Sequence, residues 1–190
     1  ASMLADTSRP DAAAAALNRF GLGARADQAP PDHPRRWLLQ QLDRPPQAAA
    51  ARAPQFGTEA LAQALLAQQR LLRDTSDPAE KMAQRQALNQ QARAAYRQDV
   101  AARTDSALAS ATPWTEHWVH FWSNHFALSC EKPEVRMLAG AFEDEAIRPH
   151  VLGRFEDMLL AVQTHGAMLN YLDAASSVGP NSPAMRKNPR

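Results

Sequence analysis

Trp114 to Leu128 reads W-T-E-H-W-V-H-F-W-S-N-H-F-A-L. It holds three of the four tryptophans, two of the six phenylalanines and three of the six histidines of the chain. On a wheel turning ~100° per residue, Trp114, Trp118, Phe121, Trp122 and His125 share one arc. His117, His120 and Asn124 share the adjoining arc, and Glu116 and Ser123 lie further round. The pattern predicts the core helix of an α-helical domain, opened by Thr112-Pro113 and ending near Leu128, with His125 in the middle of a buried aromatic stripe. A buried neutral imidazole needs hydrogen-bond partners, or its burial costs roughly 1–3 kcal/mol. Two readings follow for His125: a core histidine satisfied by a carbonyl or carboxylate, or a functional group. His117 and His120 are three apart, which would let both reach one metal. There is no H-E-x-x-H here, however, so boundary histidines are the expectation for that pair.

Working outward, Glu134 to Arg148 predicts the next helix. Val135, Leu138 and Phe142 are spaced three and four apart, and continuing that spacing lands on Glu145, which is expected to point inward. A carboxylate on an apolar face needs a cation or imidazole beside it. His125 and Arg148 are the candidates. Val151 to Thr164 predicts another helix, with Phe155, Met158, Leu159 and Val162 as its stripe and His165 extending it. Asp173 ends the following segment M-L-N-Y-L-D. A cluster of His125, Glu145, Arg148, His165 and Asp173 is therefore expected. Such a set can run general acid/base chemistry, bind a metal through His125, Glu145 and His165, or form a polar network that fixes helix packing. No cofactor motif is present, so the cofactor is unknown.

Toward the N-terminus, residues 11–20 predict a short helix capped by Asp11 and ended by Gly21 and Gly23. A proline-containing loop leads to a helix over Arg35–Leu42, stopped at Pro45 and Pro46. Residues 47–57 are expected to be irregular. Thr58–Arg73 and Ala79–Ala109 predict two helices joined by D-T-S-D-P, with Ser76 or Asp77 as cap and Pro78 at the first helical position. Met82, Leu88, Ala92, Tyr96 and Val100 mark the expected buried side of the second. Residues 58–109 thus read as a long, mostly solvated hairpin arm, either a surface insertion or a partner-binding arm. The tail from Ser176 has no apolar periodicity and reads as loop. The expectation is one all-α domain over residues 1–190, an irregular multi-helix domain with a protruding long helical hairpin.

A chain of 190 residues can bury a sizeable core, and 21 basic against 20 acidic residues leave a formal charge of +1. That balance gives no nucleic-acid or anionic-membrane footprint. The single cysteine, Cys130, excludes an intrachain disulfide and a cysteine metal cage. No apolar run reaches the roughly 20 residues of a membrane span. The first residues lack the basic and apolar regions of a signal peptide, which makes the cytoplasm the default reading and export or a periplasmic location the alternative.

With these residues in hand, the chain resembles a large bacterial family known only as domain of unknown function 1800. L-N-R-F-G-L-G at Leu17–Gly23 and W-L-L-Q-Q-L at Trp37–Leu42 are similar to its opening pattern. Glu116 followed by Phe121, Trp122, Asn124, His125 and Phe126 is similar to its Glu and Phe-Trp-x-Asn-His-Phe motif. E-A-I-R-P-H-V-L-G-R-F from Glu145 to Phe155, and the segment from His165 to Asp173, are similar to two more. His117 and His120 lie outside the family pattern. Family members continue with a further helix and histidine, so the resemblance implies the N-terminal part of a longer protein. It also implies a helical fold, frequent export and a sulfatase-like protein partner, but no activity.

Two functions are expected from these readings. One is a metal-dependent or acid/base enzyme with a buried His/Glu site. The other is a non-catalytic helical scaffold or accessory protein for an exported partner. Convergence of His125, Glu145 and His165 on an open pocket discriminates between them.

Overall fold

The computed structural model describes residues 10–25, 29–44, 57–174, 177–179 and 181–182. Residues 1–9, the expected irregular segment up to residue 56 and most of the tail lie outside the described residues. Among those described there are eight α-helices and no strand: α1 (Pro10–Phe20), α2 (Pro34–Leu42), α3 (Thr58–Asp74), α4 (Pro78–Ala109), α5 (Pro113–His125), α6 (Pro133–Phe142), α7 (Phe155–Thr164) and α8 (Gly166–Tyr171). A π-helical turn (Glu143–Ile147) and a 3-10 turn (Arg148–His150) separate α6 from α7. The chain is all-α, as its periodicity predicts.

Proline sets most of the starts. Pro34, Pro78, Pro113 and Pro133 open α2, α4, α5 and α6, where the missing N–H has no intrahelical partner to lose. Asp77 caps α4, its carboxylate accepting from the Ala79 N–H at 3.0 Å. Glycine sets the end of α1: the N–H groups of Gly21 and Gly23 both reach the Leu17 carbonyl, at 3.1 and 3.3 Å. Gly23 takes φ +103°, a conformation that side chains with a Cβ rarely adopt.

The core is built around α6. Leu138, Phe142, Ala146 and Ile147 pack with Leu61 and Leu65 of α3, Leu88 of α4, Val119 of α5, Met158 and Val162 of α7, and Ala167 and Met168 of α8. Removing a side chain such as Leu138 from water contributes about 1.5–3 kcal/mol. Because α3 and α4 both place leucines in this core, they are not a free arm. Every residue from 69 to 87, at the end of α3 and the start of α4, is exposed or half-exposed. On α4, Leu88 and Ala92 are buried as expected, whereas Met82, Tyr96 and Val100 are exposed. No described helix is long and apolar enough to cross a membrane.

The most buried face of α5 is not the expected one. Its buried residues are Thr115, Glu116 and Val119. The aromatic stripe is only partly covered: Trp114, Trp118 and Trp122 are half-buried, with Trp122 packed against the core, while Phe121 and His125 are exposed, and the rings form an edge-on ladder, Trp114 to Trp118 at 6.0 Å, Trp118 to Phe121 at 5.4 Å and Phe121 to Trp122 at 5.0 Å. Wide rings cover one another here, while the narrow face carrying Thr115, Glu116 and Val119 fits the interior. Burying Glu116 is affordable because a cation waits inside for it.

Candidate functional site

The helix expected to run on to Arg148 changes type after Phe142. Proline at position 149 has no N–H, and in an α-helix its ring would collide with the carbonyl of Glu145, four residues earlier. The chain widens into a π turn before it, and the Arg148 N–H bonds the Glu143 carbonyl, five residues back. In an α-helix at ~100° per residue, positions five apart diverge by about 140°. The wider turn brings Glu143 and Arg148 onto one side.

Arg148 is the polar centre of the domain, its side chain only 1% exposed. Nη1 donates to Glu116 Oε1 at 2.9 Å, Nη2 donates to Glu143 Oε1 at 3.0 Å, and Nε pairs with Asp144 Oδ1 at 3.3 Å. The other oxygen of Glu143 accepts from the Ser123 hydroxyl at 2.9 Å and pairs with Arg103 Nε at 2.6 Å. Burial alone would lower the pKa of Arg148. The hydrogen bond that Arg148 donates to Glu116 and the charges of Glu116, Glu143 and Asp144 outweigh it and hold the guanidinium above its ordinary value. His120 borders the cluster. Burial, aided by the charge of Arg103, pushes its pKa down against the pull of Glu143 and Glu116.

Glu143, Ser123 and Arg103 also line a cleft of about 250 Å³ between α4 and the α5–α6 pair. Tyr96, Asp99, Val100 and Arg103 form the α4 wall, and Asn124, Phe126, Leu128 and Cys130 lie among the residues opposite. Burial pushes the Cys130 thiol up, which keeps it protonated, and the neighbouring Cys130, with burial, pushes the Tyr96 phenol up.

The remaining expected site residues lie elsewhere. His125 is exposed, its ring stacked on Phe121 at 6.4 Å and edge-on to Trp122 and Phe126. The expectation of a buried imidazole at 125 is corrected. Glu145 is exposed rather than inward. Its Oε1 accepts from the Thr58 N–H at 2.9 Å, which caps α3 from another part of the chain and sets a carboxylate at the positive end of the helix. His165 joins it: Nε2 lies 2.8 Å from Thr58 Oγ1 and 3.4 Å from Glu145 Oε2, while Nδ1 accepts from the Ala167 N–H at 3.1 Å and caps α8. Burial lowers the pKa of His165 against the opposing charge of Glu145. The trio has the residue types of a hydroxyl nucleophile, base and acid, but its protonation pattern differs. With Nδ1 accepting, the neutral ring carries its proton on Nε2, the atom facing Thr58, and cannot take a proton from the hydroxyl there. Asp173, with φ 57°, pairs with Lys132 at 2.6 Å, and that ammonium also bonds the Asn170 and Tyr171 carbonyls at the end of α8.

The five expected residues thus fall into four places, and only Glu145 and His165 meet. Among the described residues no group of three or more His, Cys, Asp or Glu side chains is placed to hold a metal, so His125, Glu145 and His165 do not form the expected ligand set. His117 is exposed, with Nδ1 3.4 Å from the Gly21 carbonyl, while His120 is half-buried. The residues that sequence reasoning missed are Glu116, Arg103, Ser123 and Glu143. A signal for two of them was present: Glu116 and Ser123 stand seven apart, two helical turns on one face.

The model of one protein family, described as a protein of unknown function (DUF1800), matches residues 15–188. No curated protein and no solved structure matches the chain.

Proposed function

The chain belongs to that family of unknown function, and from the geometry we propose that it binds a small molecule in the cleft between α4 and the α5–α6 pair. The carrying observation is that this cleft ends on Glu143 and Arg103, which tie it to the buried Arg148 cluster. A polar floor held on rigid helices and flanked by apolar walls is the usual make-up of a ligand site. Both oxygens of Glu143 are occupied, so it fixes Arg103 in place rather than acting as a free base. A second reading, an acid/base enzyme, is supported by His120. Its burial favours the neutral imidazole, the form a general base needs, beside Glu143 and Arg103. Glu145 and His165 fit helix capping and packing better than chemistry, because their hydrogen bonds run to backbone and to each other's neighbours.

The test is a thermal-shift screen of a small-metabolite library against the wild type and Ala127→Phe, which places a ring at the exposed rim of the cleft. Compounds that raise the wild-type midpoint are expected to lose their effect in the variant. An undiminished shift in the variant, or no shift with any compound, overturns the reading.

A further inference from the structure

Resting on the reading of this cleft as a ligand site, we propose that its ligand is a small aliphatic monocarboxylate, its carboxylate on the Arg103 guanidinium and its chain among the apolar walls. The carboxylate end follows first from Arg103. Its ion pair with Glu143 uses Nε, its side chain is 39% exposed, and its terminal amino groups have no hydrogen bond or ion pair among the described residues. A guanidinium engaged at Nε keeps its outer N–H groups as a fork that a carboxylate accepts bidentately. Asn124, exposed on the facing wall, likewise has no side-chain hydrogen bond among the described residues and offers amide N–H donors.

A second guanidinium, independent of the first, stands behind Cys130. Arg136 Nε donates to the Cys130 carbonyl at 2.9 Å and Nη2 to the Glu131 carbonyl at 3.1 Å. Its Nη1 is buried without a hydrogen-bond partner, and no carboxylate pairs with it among the described residues. Both guanidiniums act on the Tyr96 phenol of the α4 wall in the direction of its anion, against the pull of Cys130 and of burial. The acids of the cleft are already engaged: Glu143 is met by Arg103, Arg148 and the Ser123 hydroxyl, and Asp99 has a partner of its own. A single fork beside Glu143 suits one negative charge. A phosphate dianion would bring a second charge against that carboxylate, which disfavours it.

The aliphatic end follows from Val100, Phe126, Leu128 and Phe142, which line the same space. A volume of about 250 Å³ falls below the roughly 300–1,000 Å³ of drug-sized sites, which restricts the chain to a short one.

Isothermal titration of the whole chain tests this with 4-methylpentanoate, with 4-methylpentanamide, which keeps the shape and loses the charge, and with 3-methylbutyl phosphate, which carries the dianion. The carboxylate is expected to bind at least tenfold more tightly than the amide, and more tightly than the phosphate. Arg103→Lys, which keeps the charge beside Glu143 and loses the fork, is expected to weaken the carboxylate about tenfold. Arg97→Gln removes a cation exposed on the same helix outside the cleft lining, and is expected to leave binding unchanged. Circular dichroism confirms that each variant is folded. If the amide or the phosphate binds as tightly as the carboxylate, if Arg103→Lys binds it unchanged, or if Arg97→Gln weakens it equally, the monocarboxylate is overturned, and the cleft reading stands on any compound that passes the Ala127→Phe test. If the carboxylate fails to bind while another compound passes that test, the class is again overturned and the cleft reading survives. If no compound passes, both fall.

Discussion

Replacing Arg148 by methionine removes the cation and keeps most of the side-chain bulk. The side chain is 1% exposed and holds Glu116 at 2.9 Å, Glu143 at 3.0 Å and Asp144 at 3.3 Å. In Arg148→Met, Glu143 keeps its ion pair with Arg103, while Glu116 and Asp144 lose the guanidinium that pairs with them here. Breaking a buried pair by removing one partner typically costs about 3–5 kcal/mol, because the charge left behind stays out of water. Loss at the upper end is expected, since one guanidinium serves three carboxylates. For a chain of this size each kcal/mol moves the midpoint by roughly 2–4 °C, which gives a drop of about 10–20 °C. Urea denaturation at pH 7 measures the free energy directly. A buried carboxylate without its cation takes up a proton more readily, so the deficit relative to wild type should shrink as the pH is lowered from 7 toward 5. Arg148→Lys keeps the charge but cannot reach three partners at once, and a loss of about 1–3 kcal/mol is expected. A stability for Arg148→Met within about 1 kcal/mol of wild type would refute the argument that this cluster organises the core.

His165→Asn keeps a cap acceptor for α8 and loses the ring contacts to Thr58 and Glu145, so a loss of about 1–2 kcal/mol at pH 7.5 is expected in denaturant titrations. Since burial depresses the folded-state pKa of His165 below its ordinary 6.5, its contribution is complete above 6.5 and declines as the pH falls below it. The gap between wild type and His165→Asn should therefore narrow by pH 5, and a gap that widens would contradict the assigned tautomer. His125→Ala removes an exposed ring, and chemical denaturation should register less than about 1 kcal/mol; a larger loss would restore the buried reading of this histidine. Gly21→Ala brings a Cβ to 2.7 Å from the Leu17 carbonyl oxygen, and a destabilisation of about 1 kcal/mol or more should appear as a lowered thermal midpoint.

The helices were legible because their punctuation is chemical: prolines at 34, 78, 113 and 133, the Asp77 cap, and glycines at 21 and 23. The site was legible only in part, for two physical reasons. An angular step of ~100° holds only while the helix is α. Carried past Phe142 it turns Glu145 inward, whereas the π turn buries Glu143, Ala146 and Ile147 and leaves Glu145 at the surface. On α5, hydrophobicity favoured the aromatic stripe as the inner face. The interior took Thr115 and Glu116 because Arg148 lies there to meet the carboxylate, and a wheel of one helix does not contain the cation that another helix brings. Arg148 itself was legible, as a cation near inward-pointing acids. Arg103 was not, since it sits on a helix whose composition reads as solvated.

The joint of Thr58, Glu145 and His165 has a consequence for the order in which the chain assembles. It links positions 87 and 107 apart in sequence, and the entropy of closing a loop grows with its length. Helices α6, α7 and α8, which are neighbours along the chain, can dock before that closure. The start of α3 can be fastened only once they are in place. Weakening the joint should therefore quicken unfolding and leave the refolding rate nearly unchanged, the signature of a fastening made after the rate-limiting step.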